Sequence, residues 1–168
     1  SVGVAWGYAE TVASLGLALL MPVLGSLADL KGNKKKFFIG TVGTGAIALA
    51  LKSERPEIDV WAVDRMADAA ALARENSAAL GLPIEVRDGS WFEPLGEPDR
   101  DNTPRFAVIV SNPPYIDGAD PHLEQGDVRF EPRSALVADD AGLADIRHIV
   151  AHAPAYLLTD GWLLLEHG

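Results

Sequence analysis

The chain contains no cysteine among its 168 residues. Disulfide bonds, thiolate zinc sites and cysteine nucleophiles are therefore excluded, and a reducing cytoplasm is compatible with this composition. Positive charge is also scarce: 14 lysine and arginine residues stand against 24 aspartate and glutamate residues, for a formal net charge of −10. General binding to a nucleic-acid backbone depends on clustered basic residues, so this charge argues against it. The length suits one main domain with a core of its own.

Charged side chains are absent from residues 11–28. This stretch, TVASLGLALLMPVLGSLA, reaches the length of about 18 apolar residues at which a membrane span becomes a candidate. A lysine cluster follows it, as in a short cytoplasmic loop between two spans, at Lys31, Lys34, Lys35 and Lys36. The pattern predicts either membrane association through residues 11–28 or a buried or amphipathic helix followed by a basic turn.

The segment WGYAETVASLGLALLMPVLG and the following GSLADLKGNKKK resemble the second helix and the next loop of major-facilitator transporters. The resemblance covers residues 1–40. Two spans are too few to enclose a translocation path, so we do not predict transport. We place a domain boundary after residue 36, with an apolar helical segment and basic loop at 1–36 and a second domain at 37–168.

From residue 37 onward, apolar strand-like and amphipathic helix-like stretches alternate. The predicted strands are FFIGTV, IDVWAVD, PIEVRDGS, RFAVIVSN and GWLLLEHG, and the predicted helices are GAIALALKSER, MADAAALARENSAALG and LADIRHIVAHAPAYL. Gly81 is the predicted C-cap of the second helix. The alternation predicts parallel strands joined by crossover helices, hence an α/β sheet covered on both faces. Ligands of such sheets bind at the carboxyl ends of the strands.

Two of these strand ends carry residues typical of nucleotide binding. Gly43 and Gly45 lie in the turn from the first strand into its helix, where glycine lets a ligand approach backbone N–H groups. Asp64 closes the second strand, where a carboxylate can accept both hydroxyls of a ribose. The combination does not separate dinucleotides from S-adenosylmethionine.

The motif SNPPY, residues 111–115, favours methyl transfer over hydride transfer. Asn112 comes at the end of an apolar strand, and two prolines restrict the backbone after it. An amide or amino nitrogen is a poor nucleophile, so fixed acceptors must hold its N–H groups while it faces an electrophilic methyl group. The Asn112 carboxamide and the Pro113 carbonyl are candidate acceptors, and the Tyr115 ring is a candidate flank. A proline-rich turn without chemistry is the alternative.

Six segments of the chain carry a family resemblance. It rests on the segments GTGAIALAL, AVDRMADAAALARENS, GSWFEPL, VIVSNPPYIDGADPHLEQGDVRFEP, SALVADDAGLADI and LLLEHG. Residues 43–168 resemble the catalytic domain of the bacterial release-factor glutamine methyltransferases, the HemK/PrmC family. The run after NPPY distinguishes this family from adenine-N6 methyltransferases. The resemblance implies a Rossmann-like sheet, S-adenosyl-L-methionine as cofactor, and methyl transfer to the glutamine amide in the GGQ loop of peptide-chain release factors.

The resemblance also assigns roles in cofactor binding. It implies that the first turn holds the cofactor, with Gly43 and Gly45 facing its methionine part. The cofactor-binding positions of this turn are Thr41, Val42, Gly43, Thr44 and Gly45. Asp64 would bind the ribose, and Trp91 would lie against the adenine.

The resemblance further implies that Asn112 contacts both cofactor and substrate. Asn112, Pro113 and Tyr115 would be the catalytic positions, and Pro114 would join them in the glutamine pocket. This chemistry requires neither a metal nor a general base. His148 and His152 have the i, i+4 spacing of a metal site but lack further ligands, so we expect them to be surface or packing residues.

The chain departs from the family pattern at its first strand. The first turn of the family reads D-x-G-T-G-T-G. In this chain, Ile39 stands at the position of the aspartate and Thr41 at the position of the first glycine. We therefore expect S-adenosylmethionine to bind weakly or not at all. From the resemblance we also expect that the family's helical substrate-recognition domain and the C-terminal hairpin that completes the seven-stranded sheet are missing here. An inactive, membrane-associated fusion fragment of transporter and methyltransferase origin is the alternative function.

Overall fold

A computed structural model of the protein describes residues 36–41, 44–98, 100–114, 116–117, 137–138 and 143–166. The predicted membrane-associated stretch at 11–28 and nearly all of the transporter-like segment lie outside these residues. The strands are β1 Lys36–Thr41, β2 Asp59–Asp64, β3 Glu85–Asp88, β4 Phe106–Asn112, β5 Ile116–Asp117, β6 Val137–Ala138 and β7 Leu157–Leu165. The helices are α1 Thr44–Glu54, α2 Ala67–Leu80 and α3 Ala144–His152, with 3₁₀ turns at Glu93–Leu95 and Ala153–Tyr156.

The main sheet has five strands in the order β3-β2-β1-β4-β7, and every neighbouring pair is parallel. Helix α1 connects β1 to β2, and α2 connects β2 to β3, as parallel pairing requires. The predicted α/β sheet is therefore confirmed. A second sheet, the parallel pair β5-β6, was not predicted, because strands of two residues carry no periodicity.

One face of the main sheet is mainly aliphatic. Its buried side chains, which we call the aliphatic cluster, are Phe37, Ile39, Ala48, Leu51, Ile58, Val60, Ala62, Val108 and Val110. Helix α1 covers this face with Ala48 and Leu51. The end of α1 is held by Lys52, a buried lysine whose ammonium group donates to the carbonyls of Pro56 at 2.8 Å and Ile58 at 2.6 Å. These bonds tie the last turn of α1 to the segment before β2 and give two of its carbonyls a hydrogen-bond partner.

The opposite face is rich in aromatic rings. Its buried side chains, which we call the aromatic cluster, are Phe38, Val63, Phe92, Leu95, Phe106, Ile109, Ile149, Ala153 and Tyr156. Phe92 stacks on Phe38 at 5.5 Å and on Tyr156 at 4.8 Å between ring centroids. This face is covered by the 3₁₀ turn after β3 and by α3. The two clusters separate because successive side chains of a strand point to opposite faces, so Phe37 and Phe38 enter different clusters.

The predicted element boundaries are partly confirmed. Gly81 ends α2 in the left-handed conformation (φ 66°), as predicted, and its N–H donates to the carbonyl of Ala78. The predicted third helix is too long, because α3 stops at His152 and a 3₁₀ turn containing Pro154 follows; proline cannot continue the α-helical hydrogen bonding. The last strand begins at Leu157 rather than at the predicted Gly161 and is irregular before its ladder resumes with the Val108–Trp162 pair.

Candidate functional site

The carboxyl ends of three central strands bring candidate residues together. Thr41 of β1 pairs in register with Asn112 of β4. On the other side of β1, Gly40 pairs with Val63, so Asp64 occupies the next position along β2. Thr41, Asp64 and Asn112 thus lie at one level on three adjacent strands. This register brings the three candidate residues together at the carboxyl edge of the sheet, where ligands of parallel α/β sheets bind.

Asp64 is fixed at the end of β2 by its own turn. Its carboxylate Oδ1 accepts a hydrogen bond of 2.9 Å from the Met66 N–H, and the residue is 1% exposed. The Asp64 carbonyl accepts from the Gly89 N–H at 3.1 Å, which brings the segment after β3 beside the end of β2. The carboxylate therefore has a defined direction at the sheet edge.

The glycine turn is described only in part. Val42 and Gly43 lie outside the described residues, as does Tyr115 of the NPPY motif. Thr44 begins helix α1. Gly45 has a packing role: a Cβ at this position would lie 2.7 Å from the Ala73 Cβ of α2, so glycine is needed for the two helices to approach. The sequence prediction attributed Gly45 to the ligand alone and missed this helix contact.

The residues around Asn112 are held by hydrogen bonds to both neighbouring strands. The buried Ser111 hydroxyl donates to the Gly40 carbonyl of β1. The Ser111 carbonyl accepts from the Glu166 N–H at 3.0 Å, just beyond the end of β7. Pro113 and Pro114, which follow Asn112, are buried. Sequence reasoning did not single out Ser111, although a polar residue inside the apolar run VIVSN is a usable signal.

Trp91 has an unusual backbone and a long-range partner. Its φ is 48°, in the left-handed region that bulky residues rarely adopt. Its indole N–H donates to Asp145 Oδ1 at 3.2 Å, across 54 positions of sequence, and its ring packs against the aromatic cluster. Asp145 was not predicted as a site residue, because its only sequence signal is an acidic side chain in the first turn of a helix.

Ile39 is a core residue in this structure. It is 1% exposed, belongs to the aliphatic cluster and pairs with Ala62 and Val110 on the neighbouring strands. Residue 39, which the resemblance aligns with the family's acidic position, therefore contributes apolar packing. No carboxylate at residue 39 is available to a ligand bound at the glycine turn.

Two further expectations concern metals and membranes. The His148 and His152 rings stack at 4.2 Å on the exposed side of α3, and His152 Nδ1 lies 2.7 Å from the His148 carbonyl oxygen. Among the residues with described positions, no cluster of three or more potential metal ligands occurs. In the same part of the chain, every helix is too short or too polar to cross a bilayer.

Comparison with known proteins places this chain in a family. The model of the methyltransferase small domain matches residues 13–128. The chain is 53% identical over 160 residues to the release factor glutamine methyltransferase of Vibrio cholerae, covering 95% of this chain and 51% of that protein. It is 60% identical over 119 residues to that of Pseudomonas aeruginosa, covering 70% and 41%. The chain thus spans about half the length of the curated relatives it matches.

The solved structures agree on the fold. TrmN from Thermus thermophilus superposes with a TM-score of 0.58 at 24% identity, covering 91% of this chain and 38% of that one. The matches give no support to a transporter origin for residues 1–40, since the family match already starts at residue 13. The domain boundary after residue 36 stays a prediction. The family match over residues 13–128, to which the parallel sheet conforms, shows that this chain belongs to the methyltransferase small domain family.

Proposed function

We propose that the chain transfers a methyl group from S-adenosyl-L-methionine to the side-chain amide nitrogen of the GGQ glutamine of peptide-chain release factors. The observation that carries the proposal is the position of Asn112, beside Thr41 of β1, with Asp64 on the other side of that strand. A nucleotide held at Asp64 and a substrate held at Asn112 would then meet above β1. The identity to curated release factor glutamine methyltransferases supports this substrate class.

The residues present fit the adenosine part of the cofactor better than its methionine part. Asp64 offers an oriented carboxylate to the ribose, and Trp91 offers a half-buried ring to the adenine. The buried Ile39 offers no charge to the ammonium group of the methionine part. Losing a charged hydrogen-bond partner costs on the order of 1.5 to 3 kcal/mol, so we expect weak binding. When bound, S-adenosylmethionine supplies an electrophilic methyl group on a sulfonium centre.

The role of the chain is to position the substrate amide. We assign the Asn112 carboxamide oxygen and the Pro113 carbonyl as acceptors of the glutamine N–H groups, with Pro114 and Tyr115 completing the pocket. The hydrogen bonds of Ser111 to β1 and to the residue after β7 limit the movement of this segment. Holding the amide nitrogen in one direction lowers the entropic barrier to transfer. Release factors act in the cytoplasm, where we therefore place this chain.

The test combines a binding measurement with a transfer measurement. Calorimetric titration with S-adenosylhomocysteine reports whether the adenosine site exists. Incubation with a release factor and methyl-labelled S-adenosylmethionine, followed by mass spectrometry of the GGQ peptide, reports transfer. We expect Asn112→Ala to lower transfer by roughly a hundredfold or more while changing cofactor affinity much less, because positioning acts on the transition state.

Asn102→Ala is the matched control, because Asn102 is an exposed asparagine of the loop between β3 and β4. It should leave both measurements unchanged. A release factor whose GGQ glutamine is replaced should accept no label. Transfer that persists in Asn112→Ala would remove Asn112 from the mechanism, and label on other residues of the release factor would refute the proposed substrate.

A further inference from the structure

The backbone of Trp91 is held in a conformation that its side chain disfavours. A φ of 48° is unusual for a large aromatic residue, and such strain persists only where the surroundings hold it in place. Gly89, two residues earlier, has a φ of 144°, and a Cβ there would lie 2.4 Å from Pro94 Cγ. The segment after β3 therefore follows a tightly constrained path to Trp91.

One hydrogen bond links Trp91 to Asp145, which lies 54 positions later in the sequence. The indole N–H donates to Asp145 Oδ1 at 3.2 Å, and both side chains are half-buried. Asp145 lies in the first turn of α3, where the helix dipole stabilises a carboxylate. A hydrogen bond to an ionised acceptor is stronger than a neutral one, and partial burial reduces competition from water.

The path of the segment that carries Trp91 gives this bond a consequence for ligand binding. The Gly89 N–H donates to the Asp64 carbonyl at 3.1 Å, so the segment that carries Trp91 borders the end of β2. A nucleoside whose ribose meets Asp64 has this segment as its neighbour on the β3 side. The proposed function places the Trp91 indole of this segment against the base.

We infer that Asp145 is a positioning residue for the adenine ring: its carboxylate accepts the Trp91 indole N–H and fixes the plane against which the adenine packs. The inference rests on the proposed binding of S-adenosylmethionine. It extends the candidate site from the strand ends to helix α3. Asp145 acts through Trp91.

The test measures binding of S-adenosylhomocysteine and of methylthioadenosine, which lacks the amino-acid part. Asp145→Ala should weaken both ligands by the same factor, about tenfold, because the loss concerns the adenine side that they share. Asp145→Asn keeps an acceptor oxygen and should restore affinity to within about threefold of the unmodified chain. In the ligand-free chain, the Trp91 indole N–H signal in nuclear magnetic resonance should be protected from exchange, except in Asp145→Ala.

Two further variants separate positioning from general destabilisation. Asp68→Ala is the matched control, because Asp68 is an exposed carboxylate in the first turn of α2 and its loss removes a comparable helix-terminal charge. It should leave the affinity for methylthioadenosine unchanged. Trp91→Phe keeps a ring but removes the N–H donor, so adding Asp145→Ala to it should cause no further loss.

The outcomes distinguish this inference from the proposed function. If the unmodified chain binds both ligands and Asp145→Ala binds them equally well, the inference is wrong and the proposed function stands. Additive losses in the double variant would also overturn it, since Asp145 would then act independently of Trp91. If the unmodified chain binds neither ligand up to millimolar concentration, the adenosine site itself is refuted, and both proposals fail together.

Discussion

The two faces of the sheet differ in how their cores are built. The aliphatic cluster combines residues of β1, β2 and β4 with the regular helix α1. The aromatic cluster joins β1 to the 3₁₀ turn after β3 and to α3, with stacked rings of Phe38, Phe92 and Tyr156. Trp91 packs against this second cluster. The part of the site formed by Trp91 therefore depends on the face that an irregular turn and α3 cover.

The largest effect is expected from placing a carboxyl group in the aliphatic cluster. Ile39→Asp removes a buried isoleucine side chain, which alone costs about 2 to 5 kcal/mol, and buries an acid among apolar neighbours. Burial raises the pKa of such an acid, so its penalty should be smallest at low pH and grow as pH rises. Urea unfolding at several pH values measures this. Ile39→Asn, which does not titrate, is the control for the pH dependence.

The same substitution tests the family pattern. Combined with Thr41→Gly, it restores the acidic residue and the first glycine, and we expect tighter binding of S-adenosylhomocysteine despite lower stability. Calorimetry of the double variant decides this. Unchanged affinity in a folded double variant would refute the alignment of Ile39 with the acidic position.

Phe37 and Phe38 allow a direct comparison of the two faces, because they are adjacent in β1, each 1% exposed, and belong to different clusters. Phe38→Ala should lower the free energy of unfolding by about 3 to 5 kcal/mol. Ring pairs contribute about 0.5 to 1.5 kcal/mol beyond burial, so Phe38→Leu should cost more than Phe37→Leu. Unfolding midpoints with unchanged m-values provide the measurement. A larger loss for Phe37→Leu would contradict the proposed difference between the faces.

A smaller effect is expected where α1 approaches α2. Gly45→Ala places a Cβ 2.7 Å from that of Ala73, and such overpacking costs about 1 to 3 kcal/mol, partly offset by the better helix propensity of alanine. Ala73→Gly in the same chain should recover much of the loss. Thermal unfolding of the single and double variants measures the coupling. Loss of cofactor affinity without any loss of stability would show that Gly45 serves the ligand and not the helix contact.

The extent to which the sequence predicts the structure differs between the two faces of the sheet. The strands and helices around the aliphatic cluster carry apolar periodicity, and Gly81 carries a local cap signal, so the sequence predicts them. The positions of Asp64 and Asn112 at strand ends follow from those elements. The bond between Trp91 and Asp145 could not be predicted, because it joins residues 54 positions apart through a left-handed backbone. Ile39 lies in the predicted apolar strand FFIGTV, and its burial follows from the central place of that strand in the sheet.

The smallest effect is expected from Tyr156→Phe, at the edge of the aromatic cluster. The Tyr156 hydroxyl donates to the Gly96 carbonyl at 2.9 Å, while its ring stacks on Phe92. Phenylalanine keeps the stacking and loses the hydrogen bond, so the free energy of unfolding should fall by about 0.5 to 1.5 kcal/mol. Urea unfolding at neutral pH measures this. Tyr156→Leu, which removes both interactions, should cost more.

The pH dependence of the difference in unfolding free energy between the unmodified chain and Tyr156→Phe provides an independent check. Burial, and secondarily the negative charge of Glu97, raise the pKa of Tyr156 above its ordinary value of 10.0. A raised pKa in the folded state means that the tyrosine contributes fully to stability below pH 10.0 and loses this contribution as pH rises through the folded-state pKa. The unmodified chain should therefore lose stability faster than Tyr156→Phe in alkaline urea titrations, and the two should converge. Parallel curves above pH 10.0 would show that the Tyr156 hydroxyl ionises as readily in the folded chain as in the unfolded one, and that the hydrogen bond to Gly96 does not hold its proton.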